Sequence, residues 1–497
     1  MAAIGIRWLR KWWSLFIISS SSAVLVLVWD YVMYLHDYSI RKFTLESLDG
    51  PFLYGMAALI CIGFISFPLF GLLADVWIGR HNAILIGIVL CFLSWIVTGL
   101  GYISYFYYIS EVFLMSIFIV MVLFEASGFA IFKANIVQYN IDQLIGAPAD
   151  ELHSVIYWHC GSVPLVGALS SLMKYMISKE YFELVTFIVS GVAVSIVLIS
   201  HSFFKHKLDN VSLIKNPIKL IVRVLCYARK HKYPENRSAL TYWEEEAPSR
   251  LDLGKEKYGG PFTEEEVEDV RTTFRVLPFF VATIAYAFNY HHGWKPPSHS
   301  SLVSYFALTD LGSMSCAFFL ILMYLLLFRA CFYKHIPSML SRMSIGLLFM
   351  LTVSISRMFI IKFTVEPSHV YSILLLPQIL EGISFAFIVP ASLEFTIAQS
   401  PVHSRGVMVG IWYASWGVGY FFSSAVRFLF HCQNESLMCS KFYYHLTTVI
   451  IVFIILVVFV VMARHYKHRV RENEVNIVLI VDRHYQKYME QEEKARH

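Results

Sequence analysis

Runs of about twenty apolar residues constrain this chain more than any other feature, because a helix of that length crosses a bilayer. They fall at about 15–35, 52–74, 83–103, 109–133, 154–176 and 183–204, and after a break at about 276–292, 303–331, 341–363, 369–396, 405–430 and 443–463. The count is six and six. In hydrocarbon only a helix or a closed barrel satisfies every backbone polar group, and runs this long exclude a barrel. The chain is therefore read as an all-α membrane protein of twelve transmembrane helices in two six-helix bundles. Expected divisions are an N-terminal bundle over 1–204, a central loop over 205–275, a C-terminal bundle over 276–463 and a tail over 464–497.

Composition agrees: 57% of the 497 residues are hydrophobic and 15% charged, against about 25% charged in a soluble domain. Met1 to Trp13 is short and basic, and the run after it has no small-residue cleavage site, so Leu15 to about Tyr34 reads as a span and not as a signal peptide. Arg7, Arg10 and Lys11 at the front, the basic run from Lys205 to Lys232, and Arg80, Arg329, Lys334, Arg342, Arg405 and Arg464 all fall on one side of a twelve-span chain. Basic residues collect in cytoplasmic loops. A multi-pass protein with both termini cytoplasmic is expected, in the plasma or an endolysosomal membrane. The net charge of +5 is too small to suggest nucleic acid.

Within the spans, ionisable residues mark function, since a carboxylate at mid-helix costs about 2.5–3.5 kcal/mol on insertion scales. Glu394 lies in the apolar stretch Phe387-Ile-Val-Pro390-Ala-Ser-Leu-Glu394-Phe395, one turn after a proline that removes a backbone donor. Lys133, Glu125, Glu381, Asp310 and Arg357 are further examples, and a Glu125–Lys133 contact would have to bridge eight residues. The loop after the second span reads Gly71-Leu-Leu-Ala-Asp75-Val-Trp-Ile-Gly79-Arg80. Its glycines permit a tight turn and close helix approach, and Asp75 can cap a helix N-terminus or pair with Arg80.

This G-x-x-x-A-D-x-x-x-G-R pattern resembles the gating loop of the major facilitator superfamily. The resemblance implies two six-helix halves with the substrate between them near the bilayer midplane. A narrower one follows. Phe387 to Gly406 resembles the tenth-helix pattern of the proton-coupled oligopeptide transporter family, solute carrier family 15. Ser249-Arg-Leu-Asp-Leu-Gly-Lys255 and Gly259-Gly-Pro-Phe-Thr-Glu-Glu-Glu-Val-Glu-Asp-Val-Arg271 resemble its vertebrate histidine/peptide branch.

The resemblance implies a secondary active transporter of small peptides or amino acids, working by proton-coupled symport and alternating access. It gives Glu394 the substrate's amino group, Lys133 a carboxylate or a gating partner, and Asn135, Tyr157 and Trp158 places beside the substrate. Gly71, Asp75, Gly79 and Arg80 become the gating loop. The chain departs from the pattern in its first span, which has no glutamate or arginine. Asp30 is the one acid there, read as lying near the outer end, so Lys133 lacks its expected partner. A non-transporting scaffold or sensor, or an uncoupled carrier, is the alternative.

Hydrolase, metalloprotease and phosphate-loop motifs are absent, so no enzyme activity and no cofactor is expected. The eight cysteines have no metal-ligand spacing. Cys432 and Cys439 share a short polar loop on the expected outer side and could pair there, beside the glycosylation acceptor Asn434-Glu-Ser436. Pro217 to His231 reads as a basic amphipathic helix, suited either to the inner membrane surface or to a plain linker.

Overall fold

The computed structural model describes residues 18, 20–47, 52–106, 111–144, 149–209, 216–231, 249–290, 302–332, 335–363, 373–401, 404–430, 432 and 442–466. Among them the chain is almost wholly helical, the one extended pairing being a bridge between Lys255 and Phe262. The first half contributes α1 (Ser21–Ser47), α2 (Phe52–Leu73), α3 (Arg80–Phe106), α4 (Glu111–Asp142), α5 (Ala149–Met176) and α6 (Lys179–Phe204). A central segment carries α7 (Pro217–Lys230) and α8 (Glu264–Val276). The second half contributes α9 (Val281–Asn289), α10 (Leu302–Leu308), α11 (Leu311–Met323), α12 (Met339–Phe363), α13 (Leu375–Gln399), α14 (Arg405–Leu429) and α15 (Phe442–His465). Eight helical stretches among the described residues are long and apolar enough to cross a membrane.

Hydrophobic runs do not coincide with helix ends. The first apolar run ends near Tyr34, yet α1 continues to Ser47 through His36, Asp37 and Arg41, whose side chains find partners inside the bundle. Asp30 accordingly sits in the first half of α1, fully buried, and not at the outer end expected from the run. Likewise α4 runs nine residues past the apolar stretch, to Asp142.

Two contacts between the halves depend on glycine. At Gly71 of α2 an added Cβ would stand 2.7 Å from the carbonyl oxygen of Gly406 in α14, and at Gly410 one would stand 2.6 Å from Cα of Pro68. These missing side chains let α2 and α14 touch backbone to backbone. Gly79 has φ +84° and ends a π-helical turn, Ala74–Ile78, just before α3, a conformation open to glycine and strained for other residues.

The central segment is built around charge. Asn216 caps α7, with Pro217 in the first turn, and Thr263 and Glu266 form a reciprocal capping box on α8. Lys255 pairs with Asp252 at 2.9 Å and Glu268 at 2.8 Å, while Arg271 reaches Asp252 at 2.7 Å. Beneath them, Val224 of α7 packs with Phe262, Val267 and Val270. One apolar face of α7 is thus covered by protein, while Ile218, Val222 and Leu225 stay exposed on another.

Candidate functional site

Two buried charge clusters meet along α5. The first lies in the N-terminal half. Lys133 Nζ donates to Asp30 Oδ1 at 2.5 Å, and His159 Nδ1 lies 2.9 Å from Asp30 Oδ2. Asn140 Nδ2 meets the other ring nitrogen of His159 at 2.8 Å. Lys133 also stands over the Tyr34 ring at 5.5 Å. Asp30, Lys133 and His159 are all at most 4% exposed. Lys133 therefore has a carboxylate partner, contrary to the expectation from the first span. Asp30 occupies the level on α1 that faces α4, and the side chain is short enough to stay buried there. The Glu125–Lys133 contact does not form, since Glu125 turns toward His36.

The second cluster joins the halves. Arg342 Nη2 donates to Glu394 Oε2 at 2.9 Å, and His153 Nδ1 is 3.1 Å from Glu394 Oε1. A second Arg342 nitrogen donates to the Tyr157 hydroxyl and, at 3.2 Å, to the Tyr324 hydroxyl. Tyr157 stacks against both His153 and Tyr324, with ring centroids 4.6 and 4.5 Å away, and those two rings also meet at 5.8 Å. Arg329 donates to Ser154 Oγ at 2.7 Å. His153, Ser154 and Tyr157 belong to α5, while Arg329, Arg342 and Glu394 belong to the second half. The Arg342–Glu394 pair lies within the second half, and the contacts that cross between the halves are His153 with Glu394, Arg342 with Tyr157 and Arg329 with Ser154; breaking these would leave the buried charges less well satisfied.

The sequence places Arg342, at the start of the expected span 341–363, with the basic residues of the cytoplasmic side. It is instead 6% exposed and turned inward. Four residues into α12, it is close enough to the helix end to be counted with the loop, and its long side chain reaches back to Glu394. Nothing in its sequence neighbourhood distinguishes it from Arg329 or Lys334.

Other expected site residues are placed differently. The Asn135 side chain is buried and donates to the Ile131 carbonyl one turn back, at 2.7 Å. Trp158 is half-buried, and its carbonyl accepts from Tyr31 at 2.8 Å. In the loop between α2 and α3, Arg80 Nε donates to Asp75 Oδ1 at 2.7 Å, and Nη1 to Asp142 Oδ2 at 2.5 Å. The second Asp75 oxygen makes no hydrogen bond. It lies against Gly406, where an added Cβ would come within 2.2 Å. The carboxylate so faces the N-terminus of α14, where the helix dipole favours negative charge. Cys432 is disulfide-bonded, while Cys439 and Asn434 lie outside the described residues.

No family model matches the chain. Solved structures do. An auto-inhibited POT family peptide transporter aligns with TM-score 0.67 and 17% identity, over 92% of this chain and 99% of that one. The POT family transporter PepTSo aligns with TM-score 0.64 and 15% identity, over 90% and 98%. A POT peptide transporter in complex with alafosfalin aligns with TM-score 0.56 and 13% identity, over 91% and 95%. The fold is that of the POT transporters. It is a major-facilitator fold and places the chain among integral membrane proteins. Identities this low speak for the fold alone, so function must be argued from the site.

Proposed function

We propose that the chain is a secondary transporter of small zwitterionic solutes, peptides or amino acids, that works by alternating access. The observation that carries this reading is the pair of buried charge clusters on either side of α5. A zwitterion needs an anion for its amine and a cation for its carboxylate, each desolvated and each already partnered when substrate is absent. Glu394 supplies the anion and Lys133 the cation. Cys160, on α5 between them, lies within electrostatic reach of both. A similar transporter is described with alafosfalin bound.

In this reading residues 1–204 rock against 276–463, with 205–275 linking them. Contacts of His153 with Glu394 and of Tyr157 with Arg342 close the end of the pathway expected to face the cytoplasm, and Asp75 with Arg80 braces that side at α14. Substrate amine displaces His153 from Glu394, and the halves separate. Protons are the coupling ion: Asp30 of the first span, with His159 of α5 beside it, takes over from the first-span glutamates that are missing. Pairing of Lys133 with Asp30 gives that lysine the carboxylate the first span was expected to lack, which weighs against a non-transporting scaffold. Both termini are cytoplasmic and Asn434 is extracellular or lumenal.

The test is uptake of labelled dipeptides, tripeptides and amino acids into proteoliposomes, with and without an inward proton gradient. Uptake that Glu394→Gln abolishes, with the variant still inserted and monodisperse, is the expected result. Normal uptake by that variant would remove Glu394 from the mechanism. Uptake indifferent to the gradient would leave an uncoupled carrier.

A further inference from the structure

Away from both charge clusters, α1, α3 and α4 bring three potential metal ligands together. Among the described residues His36, Cys91 and Glu125 form such a group, with one donor atom from each lying within 4.8 Å of the others. The close approach has a structural cause. Gly87 of α3 and Gly128 of α4 leave no room for a side chain where the helices cross, and a Cβ on Gly128 would come within 2.9 Å of Cys91 Sγ. Cys91 is thereby set beside the turn of α4 that carries Glu125.

The unpartnered atoms point to a bound cation. His36 Nδ1 faces the Ser190 carbonyl at 3.0 Å and the Ser190 hydroxyl at 2.8 Å. Donation of the Nδ1 proton to that carbonyl leaves Nε2 as a lone pair. Nε2 lies 3.4 Å from Glu125 Oε2, yet it makes no hydrogen bond, and neither does either Glu125 oxygen. The His36 side chain is fully buried and that of Glu125 is 10% exposed. A lone pair set against two bare carboxylate oxygens, away from water, is repulsive unless a positive species stands between them. A proton would relieve the His36–Glu125 contact but has no use for a thiol on the third side. A divalent metal has.

We propose that His36, Cys91 and Glu125 form a binding site for a divalent transition-metal ion of the zinc class, tying α1, α3 and α4 together. Imidazole, thiolate and carboxylate are ordinary zinc donors, with ligand distances of about 2.0–2.3 Å that place donors about 3.5 Å apart in a tetrahedron. Closing from within 4.8 Å requires side-chain movements on the order of an ångström. A cavity of about 70 Å³ lined by Glu125, Asp37, Arg41 and Ser94 adjoins the site and has room for a water as fourth ligand. Charge also balances. Arg41 pairs with Asp37, and a dication neutralises the Glu125 carboxylate together with the Cys91 thiolate. Binding releases the thiol proton to solvent.

The experiment uses untagged full-length protein in detergent, equilibrated with Zn²⁺ and freed of unbound metal by gel filtration. Bound zinc is read by elemental mass spectrometry, and a Co²⁺-loaded sample is read for thiolate-to-cobalt charge-transfer absorption. Wild type should keep one equivalent more than Cys91→Ser or Glu125→Gln. Altering an outer-shell partner alone weakens metal affinity about 10–100-fold, and loss of a direct ligand should weaken it more. The charge-transfer band should vanish in Cys91→Ser and persist in Cys160→Ser, which alters a buried cysteine outside the site. Equal zinc in wild type and both ligand variants would overturn the proposal. So would a wild type that binds no zinc, which would leave His36 and Glu125 as a proton-sharing pair. The uptake experiments on Glu394 read a different site, so either reading can fail without the other.

Discussion

Replacing Asp30 by Asn tests whether the Asp30–Lys133 pair holds the N-terminal half together. The carboxylate accepts from Lys133 at 2.5 Å and is contacted by His159 at 2.9 Å, in a site where none of the three side chains is more than 5% exposed. An amide of the same shape can serve one of those donors and leaves the Lys133 ammonium without a counter-charge at that position. Removing one partner of a buried pair costs about 3–5 kcal/mol, and the retained acceptor places Asp30→Asn near about 3 kcal/mol. Lys133→Met strands the carboxylate and should cost about the same. The double variant strands neither charge. It should cost about 3 kcal/mol or less, where independent sites would give about 6, an interaction of about 3 kcal/mol. Denaturant unfolding in mixed micelles, followed by tryptophan fluorescence, measures the cycle. Additive costs would refute the reasoning, because they would mean that the two charges are satisfied separately. Uptake by the double variant separates structure from transport. Restored stability without restored uptake is expected, and wild-type uptake would confine the pair to a structural role.

Three further outcomes can be checked. Gly406→Ala should push the Asp75 carboxylate off its seat and loosen its pairing with Arg80, an overpacking cost of about 1–3 kcal/mol; an unchanged melting temperature in detergent would show that α14 simply shifts. Arg342→Lys keeps the charge but cannot reach Glu394 and the tyrosine hydroxyls from two nitrogens at once, so cross-linking between cysteines placed at the start of α5 and the end of α13 should fall well below the wild-type yield, and an equal yield would deny that Arg342 holds the halves together. In the central segment burial alone would raise the Asp252 carboxyl, but hydrogen bonds from Ser249, Lys255 and Arg271 outweigh it and hold the group well below the usual carboxylate range. A depressed folded-state value contributes stability in full above the unfolded value of about 3.9 and loses it only as pH falls toward the folded value. Protease resistance at Arg250 and Lys257 should therefore be the same at pH 7 and pH 5 and be lost at pH 7 in Asp252→Asn; loss between pH 7 and pH 5 in wild type would contradict that order.

Much of the fold is written in composition and periodicity, because a bilayer selects on length and polarity, which are local. Apolar runs account for most of the long helices, and the glycines at the turn between α2 and α3 do what their spacing suggests: Gly79 takes a positive φ and Gly71 meets the Gly406 backbone. The same locality explains what could not be read. Asp30 looked peripheral because the apolar run stops soon after it, whereas α1 continues on side chains whose partners lie on α4 and α6. Arg342 looked like one more basic residue of the cytoplasmic side because its Cα lies near a helix end, whereas its guanidinium pairs with Glu394. His36, Cys91 and Glu125 have no motif at all, since three ligands on three helices leave no spacing in the chain. The residues that local reading misplaced are thus the charged or ligating ones on long or rotated side chains, and their partners are far away in sequence: Lys133 stands 103 residues from Asp30, and Tyr157 185 residues from Arg342. Contacts that span such separations leave no mark in local spacing, so sequence reading fails most often at these residues.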